Sequence, residues 1–291
     1  MYAAIFALMS MGLTMTYVTT KVPNFSHGSI VTFGIYIAFS LFRLDRLSPY
    51  VSAPFCFIIA GVIAVGVYLG ILRPLTRRGA SIVSLMIATL ALDIVFIGVI
   101  GIYSDYLFYN FKIPDSKLFY AINADFSLLG VPGLFFAAPA TLVAFTLSLW
   151  VLLTRTDIGI AMRAAVENPA LARTVGVNVD VVYVIAWFIA GGLAGIAGAF
   201  YVLWLPGSPA VGTDLIVAIF AASIMGGLTS IYGGAIGGII VGAGEILITT
   251  GGARLFGAWV LPYQSGIPLL LMVAALILMP GGVVSFVRRR R

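Results

Sequence analysis

Long uninterrupted apolar runs dominate this chain, and polar positions are confined to the short stretches between them. The runs at 2–20, 51–72, 81–102, 134–153, 181–205, 233–250 and 267–280 lie near or above the ~18 residues that cross a hydrocarbon core about 30 Å thick. They predict transmembrane helices. Two shorter runs, 29–41 and 215–228, suit tilted, broken or re-entrant segments, and they put the number of crossings at eight or nine. No linker rich in Ser, Pro or charge and no fixed-period repeat divides the chain, so residues 1–291 read as a single all-α transmembrane domain.

Composition agrees: 62% of the residues are hydrophobic and 9% are charged, too little polar surface for a soluble globule. The net charge of +6 is read by its placement, because in a membrane protein the location of Lys and Arg sets orientation. Arg73, Arg77 and Arg78 follow one span, Arg155, Arg163 and Arg173 lie between two others, and Arg288 to Arg291 close the chain. If spans alternate, all three clusters share one side. The positive-inside bias makes it cytoplasmic, together with the C-terminus, and no nucleic-acid partner is needed to explain the charge. Nine crossings then put the N-terminus outside and eight put it inside. The segments 103–131, 206–213 and 251–263 face outside, the first either as a contact surface or as a solvated loop. The first run lacks a basic start and a convincing cleavage site, so it reads as a retained helix.

The stretch 154–180 is too long for a turn and too apolar for a solvated loop, so it is expected to fold. Asp157 can cap a short helix running to about Glu167. Asn168 and Pro169 restart a second as N-cap and first helical residue, and Gly176 ends it in a left-handed conformation. Ala, Met and Val of this pair can turn toward a partner protein, with Arg163, Glu167 and Arg173 at the rim. The alternative is an interfacial segment lying on anionic membrane lipid. In the second half, Gly191, Gly195 and Gly198, and likewise Gly234, Gly238 and Gly242, recur at helical spacing, which suits close helix packing.

Polar chemistry inside the apolar runs is sparse. Asn24, Ser26, His27 and Gly28 follow Pro23 between two apolar runs. Such a break survives at membrane depth only against protein or a water-filled cavity, so it is either part of a solute path or a structural break satisfied by its neighbours. Asp93 and Glu245 are the acids inside long spans, where an unpaired charge costs at least about 2.5 kcal/mol. They either meet the ammonium of a passing solute, accept a hydrogen bond from Ser or Tyr, or are protonated. None of the three lysines, Lys21, Lys112 and Lys117, follows a glycine, so no nucleotide-binding loop is present, and one histidine forbids a metalloprotease motif. Cys56 is alone, so neither a disulfide nor a cysteine metal site can form. No catalytic residue, metal or cofactor is expected in this chain. A chain of this kind fits a secondary transporter or channel for a small polar solute, with an intramembrane enzyme a remote third reading.

The segments VPNFSHGSIVTFGIYIA, LRPLTRRGASIVSLMIATLAL, TDIGIAMRAAVENPALARTVGVNVD, GGLAGIAGAFY and IMGGLTSIYGGAIGGIIVGAGEIL resemble, in order and spacing, the permeases of branched-chain amino acid ABC transporters, and more the H-type than the M-type subunit. The resemblance implies one half of an importer in the cell membrane. This chain would pair with a second permease, rest on two cytoplasmic ABC ATPases that bind the ATP, and receive substrate from an extracytoplasmic solute-binding protein. It implies a coupling segment within 154–180, on Arg163, Ala164, Ala165, Glu167, Asn168, Pro169, Arg173 and Gly176. Asp93 stands where the family usually has a small or hydroxyl residue. The chain also starts closer to the first of these segments than family members usually do, implying a shortened first helix or a misassigned start.

Overall fold

A computed structural model describes residues 1–128, 130–279 and 281–283; the basic run 288–291 lies outside the described residues. Helices α1 (Tyr2–Thr20) and α2 (His27–Asp45) are followed by a long helix built of α3 (Pro49–Val67), a π turn at Tyr68–Leu72 and α4 (Arg73–Arg77). Then come α5 (Ile82–Phe111), α6 (Leu134–Arg155), the short pair α7 (Asp157–Glu167) and α8 (Pro169–Thr174), and α9 (Val179–Tyr201). The chain continues with α10 (Val211–Gly226), α11 (Ile231–Phe256), a 3-10 stretch at Ala258–Gly266 and α12 (Ile267–Leu278). Eight of these stretches are long and apolar enough to cross a membrane: α1, α2, Pro49–Arg77, α5, α6, α9, α11 and Ala258–Leu278. Among the described residues the fold is all-α apart from two short paired strands, Ser127–Leu128 and Val131–Pro132, and one isolated bridge between Phe119 and Gly207.

Helix α1 is apolar all round, and such a helix belongs in the interior. It is packed among α6, α9, α10 and α11, while α9 also contacts α2 and α3. Helix α5 is different. Its buried residues Leu85, Thr89, Asp93, Ile100, Ser104 and Leu107 recur at spacings of three, four or seven positions and form one stripe, part of which meets α2. The remaining apolar surface of α5 is uncovered.

The glycine runs do what their spacing predicts. A side chain at Gly191 or Gly195 would strike Ala60 or Cys56 of α3, and one at Gly198 would strike Val31 of α2. Gly234, Gly238 and Gly242 lie against Ser10, Ala7 and Ala3 of α1. Lipid gives apolar helices no solvent-driven reason to associate, so this backbone proximity supplies the packing.

Several boundaries differ from the hydropathy reading; α11, for one, runs through Phe256, into the stretch 251–263 placed outside. The run at 29–41 is the core of a 19-residue helix, α2, because its first residue, His27, is enclosed by protein rather than lipid. Helix α5 continues through Phe111, so the segment placed outside from 103 begins at 112. Ser104 and Leu107 carry the buried stripe onward, and Ser104 Oγ donates to the Ser116 carbonyl at 2.9 Å. The run at 215–228 forms α10, only 16 residues long, about 24 Å at the helical rise.

Although short, α10 joins opposite faces. Just before it, the N–H groups of Phe119 and Ala121 reach the carbonyls of Gly207 and Val202, tying this end to the segment after α5. Just after it, Thr229, Ser230 and Tyr232 line a cavity with Met162, Arg163 and Glu167 of the α7–α8 loop. Nine passes result. The N-terminus lies on the far face, and the end of α12 lies on the loop face, where Gly281 meets Gly227. Arg73, Arg77 and Arg173 border one cavity on that face. On the far face, Arg43 and Lys117 are paired with Asp115 and Asp105.

Candidate functional site

Helix α1 stops at Lys21, which takes a left-handed conformation, and the chain reaches α2 through an irregular segment. Thr89 of α5 holds that segment in place: its Oγ1 accepts from the Phe25 N–H at 3.3 Å and lies 3.4 Å from the Pro23 carbonyl. Ser26 Oγ donates to Asn24 Oδ1 at 2.7 Å. His27 Nε2 lies 3.0 Å from the Met9 carbonyl of α1, which fixes the proton on that nitrogen. Gly28 backs directly onto Gly212 of α10, and a β-carbon on either would strike the other's backbone.

Asn24, Ser26 and His27 are fully buried. Two of their atoms, Asn24 Nδ2 and His27 Nδ1, have no hydrogen-bond partner among the described residues. An orphaned buried polar atom costs about 1–3 kcal/mol. A purely structural break would be expected to satisfy both, so this pair marks the segment as the interior place most in need of a second arrangement or a polar visitor.

Asp93 and Glu245 do not meet each other. Asp93 Oδ1 accepts from Ser29 Oγ of α2 at 2.5 Å, and Oδ2 accepts from Thr213 Oγ1 of α10 at 3.1 Å. The carboxylate thus ties the lightly buried α5 to two inner helices. Glu245 Oε1 accepts from Tyr2 Oη and from Gln264 Nε2, both at 2.9 Å, which joins α11 to α1 and to the stretch preceding α12. Both acids use hydrogen-bond donors from elsewhere in the chain, with a Ser in one set and a Tyr in the other.

Replacing Asp93 with Ala removes the shared acceptor of two hydroxyls, and is expected to lower stability by about 1–2 kcal/mol, given what hydrogen bonds are worth inside membrane proteins. Asp93→Asn retains one acceptor and should lose much less. Equilibrium unfolding in mixed micelles reads both variants, and an Ala variant as stable as wild type would dissolve the clamp.

On the loop face, the Thr156 side chain caps α7 by accepting from the Gly159 N–H at 3.2 Å. The cap is therefore Thr156, and Asp157 sits in the first turn, where its charge favours the helix dipole. Asn168 Oδ1 accepts from the Ala170 and Leu171 N–H groups at 3.1 and 3.0 Å, with Pro169 as the first residue of α8. Gly176 follows at φ +88°, a left-handed backbone that glycine adopts freely. The Arg163 guanidinium folds back onto the Leu153 carbonyl.

The apolar face this pair offers differs from the one read from composition. Met162, Ala165 and Ala172 point inward and are buried, and Ala161 and Ala164 are half-buried, so Met162 and most of the alanines do not present themselves, Ala170 being the exposed exception. Ile158, Ile160, Leu171 and Val175 are the exposed apolar residues, alongside exposed Arg163, Glu167 and Arg173. Sequence spacing alone does not orient two short helices joined by a one-residue break. Asp180, in the first turn of α9, accepts from Arg73 at 2.6 Å and Arg77 at 2.7 Å, a link between α4 and α9 that no local pattern announces.

Residues 1–276 match the family described as "Branched-chain amino acid transport system / permease component". The chain is 42% identical over 282 residues to a probable branched-chain amino acid transport permease protein, LivH, of Methanocaldococcus jannaschii, covering 97% of this chain and 89% of that one. It is 24% identical over 294 residues to the high-affinity branched-chain amino acid transport system permease protein BraD of Pseudomonas aeruginosa, covering 96% and 91%. Similarity extends to the ribose import permease protein RbsC of Escherichia coli, 27% identical over 256 residues, covering 86% and 75%. No solved structure matches the chain.

Proposed function

This chain belongs to the family of branched-chain amino acid transport permeases, and we propose that it forms one half of the translocation path of an ATP-driven importer for branched-chain or related amino acids. The observation that carries the reading is the α7–α8 pair. Two separately capped helices project Ile158, Ile160, Leu171 and Val175 beyond the membrane helices. A channel or secondary transporter does not need such a surface, whereas a permease driven by ATPases must grip them.

In this reading the loop face is cytoplasmic, in keeping with Arg73, Arg77, Arg78, Arg155, Arg163 and Arg173. Two ABC ATPases bind and hydrolyse the ATP, and this chain performs no covalent chemistry. Closure of the ATPases pushes α7 and α8. The Asp180 contacts with Arg73 and Arg77 pass the displacement to α9 and to the α3–α4 helix, and the helices tilt between two discrete packings. The solute passes between this chain and a second permease after delivery by an extracytoplasmic binding protein. Asn24 and His27, with their orphaned atoms, and the Asp93 and Glu245 clamps are the interior groups proposed to respond as the packing changes. The relatives include permeases named for amino acids and for ribose, which suits a shared scaffold whose solute is chosen largely by the binding protein.

Uptake of labelled leucine into proteoliposomes holding this chain, its partner permease, the ATPases and the binding protein tests the proposal. Accumulation is expected only with internal ATP and binding protein together. Movement of solute by this chain without the ATPases would overturn it in favour of a channel or secondary transporter.

A further inference from the structure

Where α1 ends on the loop face, a cavity of about 310 Å³ opens between α1, α4, α8 and α9. Lys21, Arg73, Arg77 and Arg173 line it, with Asp180 as the opposing acid. Asp180 is already held by both Arg73 and Arg77. Among the described residues, Lys21 and Arg173 have no ion-pair partner, and Arg73 Nε is buried without an acceptor. Four cations against one carboxylate leave the cavity short of negative charge. The rest of the lining is apolar where it adjoins the membrane helices, through Val22, Tyr68 and Leu72.

We propose that this cavity binds the phosphate headgroup of an anionic phospholipid. The charge imbalance favours an anion, and guanidinium groups suit a phosphate. The cavity sits where an apolar helix meets a basic loop, the depth at which a lipid places its phosphate. Its mixed lining matches a molecule that is anionic at one end and apolar at the other. The volume admits a headgroup and its glycerol but not a folded segment of another protein. Because α8 contributes Pro169 and Arg173 while α4 contributes Thr76 and Arg77, an occupying lipid would tie the projecting loop to the α3–α4 helix and so set how freely that loop moves. Only this last consequence rests on the transport reading; the binding itself does not.

The test uses the full-length chain in nanodiscs of phosphatidylcholine with a minor share of phosphatidylglycerol, with retained lipid counted by native mass spectrometry after stepwise detergent extraction. Lys21→Gln with Arg173→Gln leaves the Asp180 pairs intact. It is expected to lower preferential retention of phosphatidylglycerol roughly twenty-fivefold, since each of the two surface cations is worth about fivefold in affinity for anionic lipid. Arg254→Gln, at the far end of α11, should leave it unchanged. Equal retention of the two headgroups, or an equal loss in the Arg254→Gln control, would overturn the proposal. So would saturable binding of inorganic phosphate in neutral nanodiscs without any headgroup preference, which would assign the cavity to a soluble anion.

Discussion

Gly195→Leu is expected to yield no recoverable folded protein, whereas Gly98→Leu should behave as wild type. Three helices converge at Gly195. A β-carbon there would strike the Cys56 carbonyl of α3 and lie 2.7 Å from the Ala60 β-carbon. A β-carbon on Gly34 of α2 would in turn strike the Gly195 backbone, and Cys56 Sγ reaches the Gly34 carbonyl at 3.5 Å. The obstruction at the β-carbon is the Cys56 backbone and the Ala60 β-carbon, neither of which a rotamer change can move. Forcing a few extra methylenes into a well-packed interior costs about 1–3 kcal/mol, and an isobutyl group against that wall, at a point where α2 also packs closely, lies at or above the top of that range. In a protein of ordinary marginal stability that is enough to unfold it. Gly98, in contrast, has no neighbouring atom within 4 Å of where a β-carbon would stand and lies on the uncovered side of α5. Yield of monodisperse protein in detergent and its melting temperature measure both variants. A Gly195→Leu protein melting with wild type would show that α2, α3 and α9 do not pack in this way.

That convergence is legible in the sequence, since small residues at i, i+4 and i+7 in an apolar run are the membrane counterpart of a packing stripe. The positions of the main spans and the caps at Asn168 and Gly176 are legible for the same reason: each depends on residues close together in the chain. What the sequence does not disclose depends on distant residues. Ser29 and Thr213 lie 64 and 120 positions from Asp93, and Tyr2 lies 243 positions from Glu245. Only the types of donor can be anticipated. The nine-pass path is also hidden, because α10 is shorter than the thickness it helps to span and the chain on either side of it completes the distance. Hydropathy measures length in residues, whereas the crossing is decided by where the ends are held.

The orientation of the loop escapes the sequence for a related reason, and it supports the second large effect. Leu171→Asp with Val175→Asp is expected to abolish co-purification with the ATPases and to cut ATP-driven uptake by at least about tenfold, with insertion and stability unchanged. Leu171 and Val175 are 62% and 72% exposed, so in the isolated chain two carboxylates there remain solvated and cost little. In the proposed complex the same positions sit against a partner's apolar surface. Loss of a central apolar contact at an interface commonly costs about 2 kcal/mol or more, about thirtyfold in affinity, and an unpaired buried charge adds to that. Met162→Ala separates the two roles of the loop. Met162 is 3% exposed and faces the membrane helices, so its truncation should lower stability by about 2 kcal/mol or more while leaving ATPase binding intact in the protein that remains folded. If the double aspartate variant instead binds the ATPases and transports as wild type does, the exposed side of α7 and α8 is not the docking surface, and force must enter this chain elsewhere on the loop face.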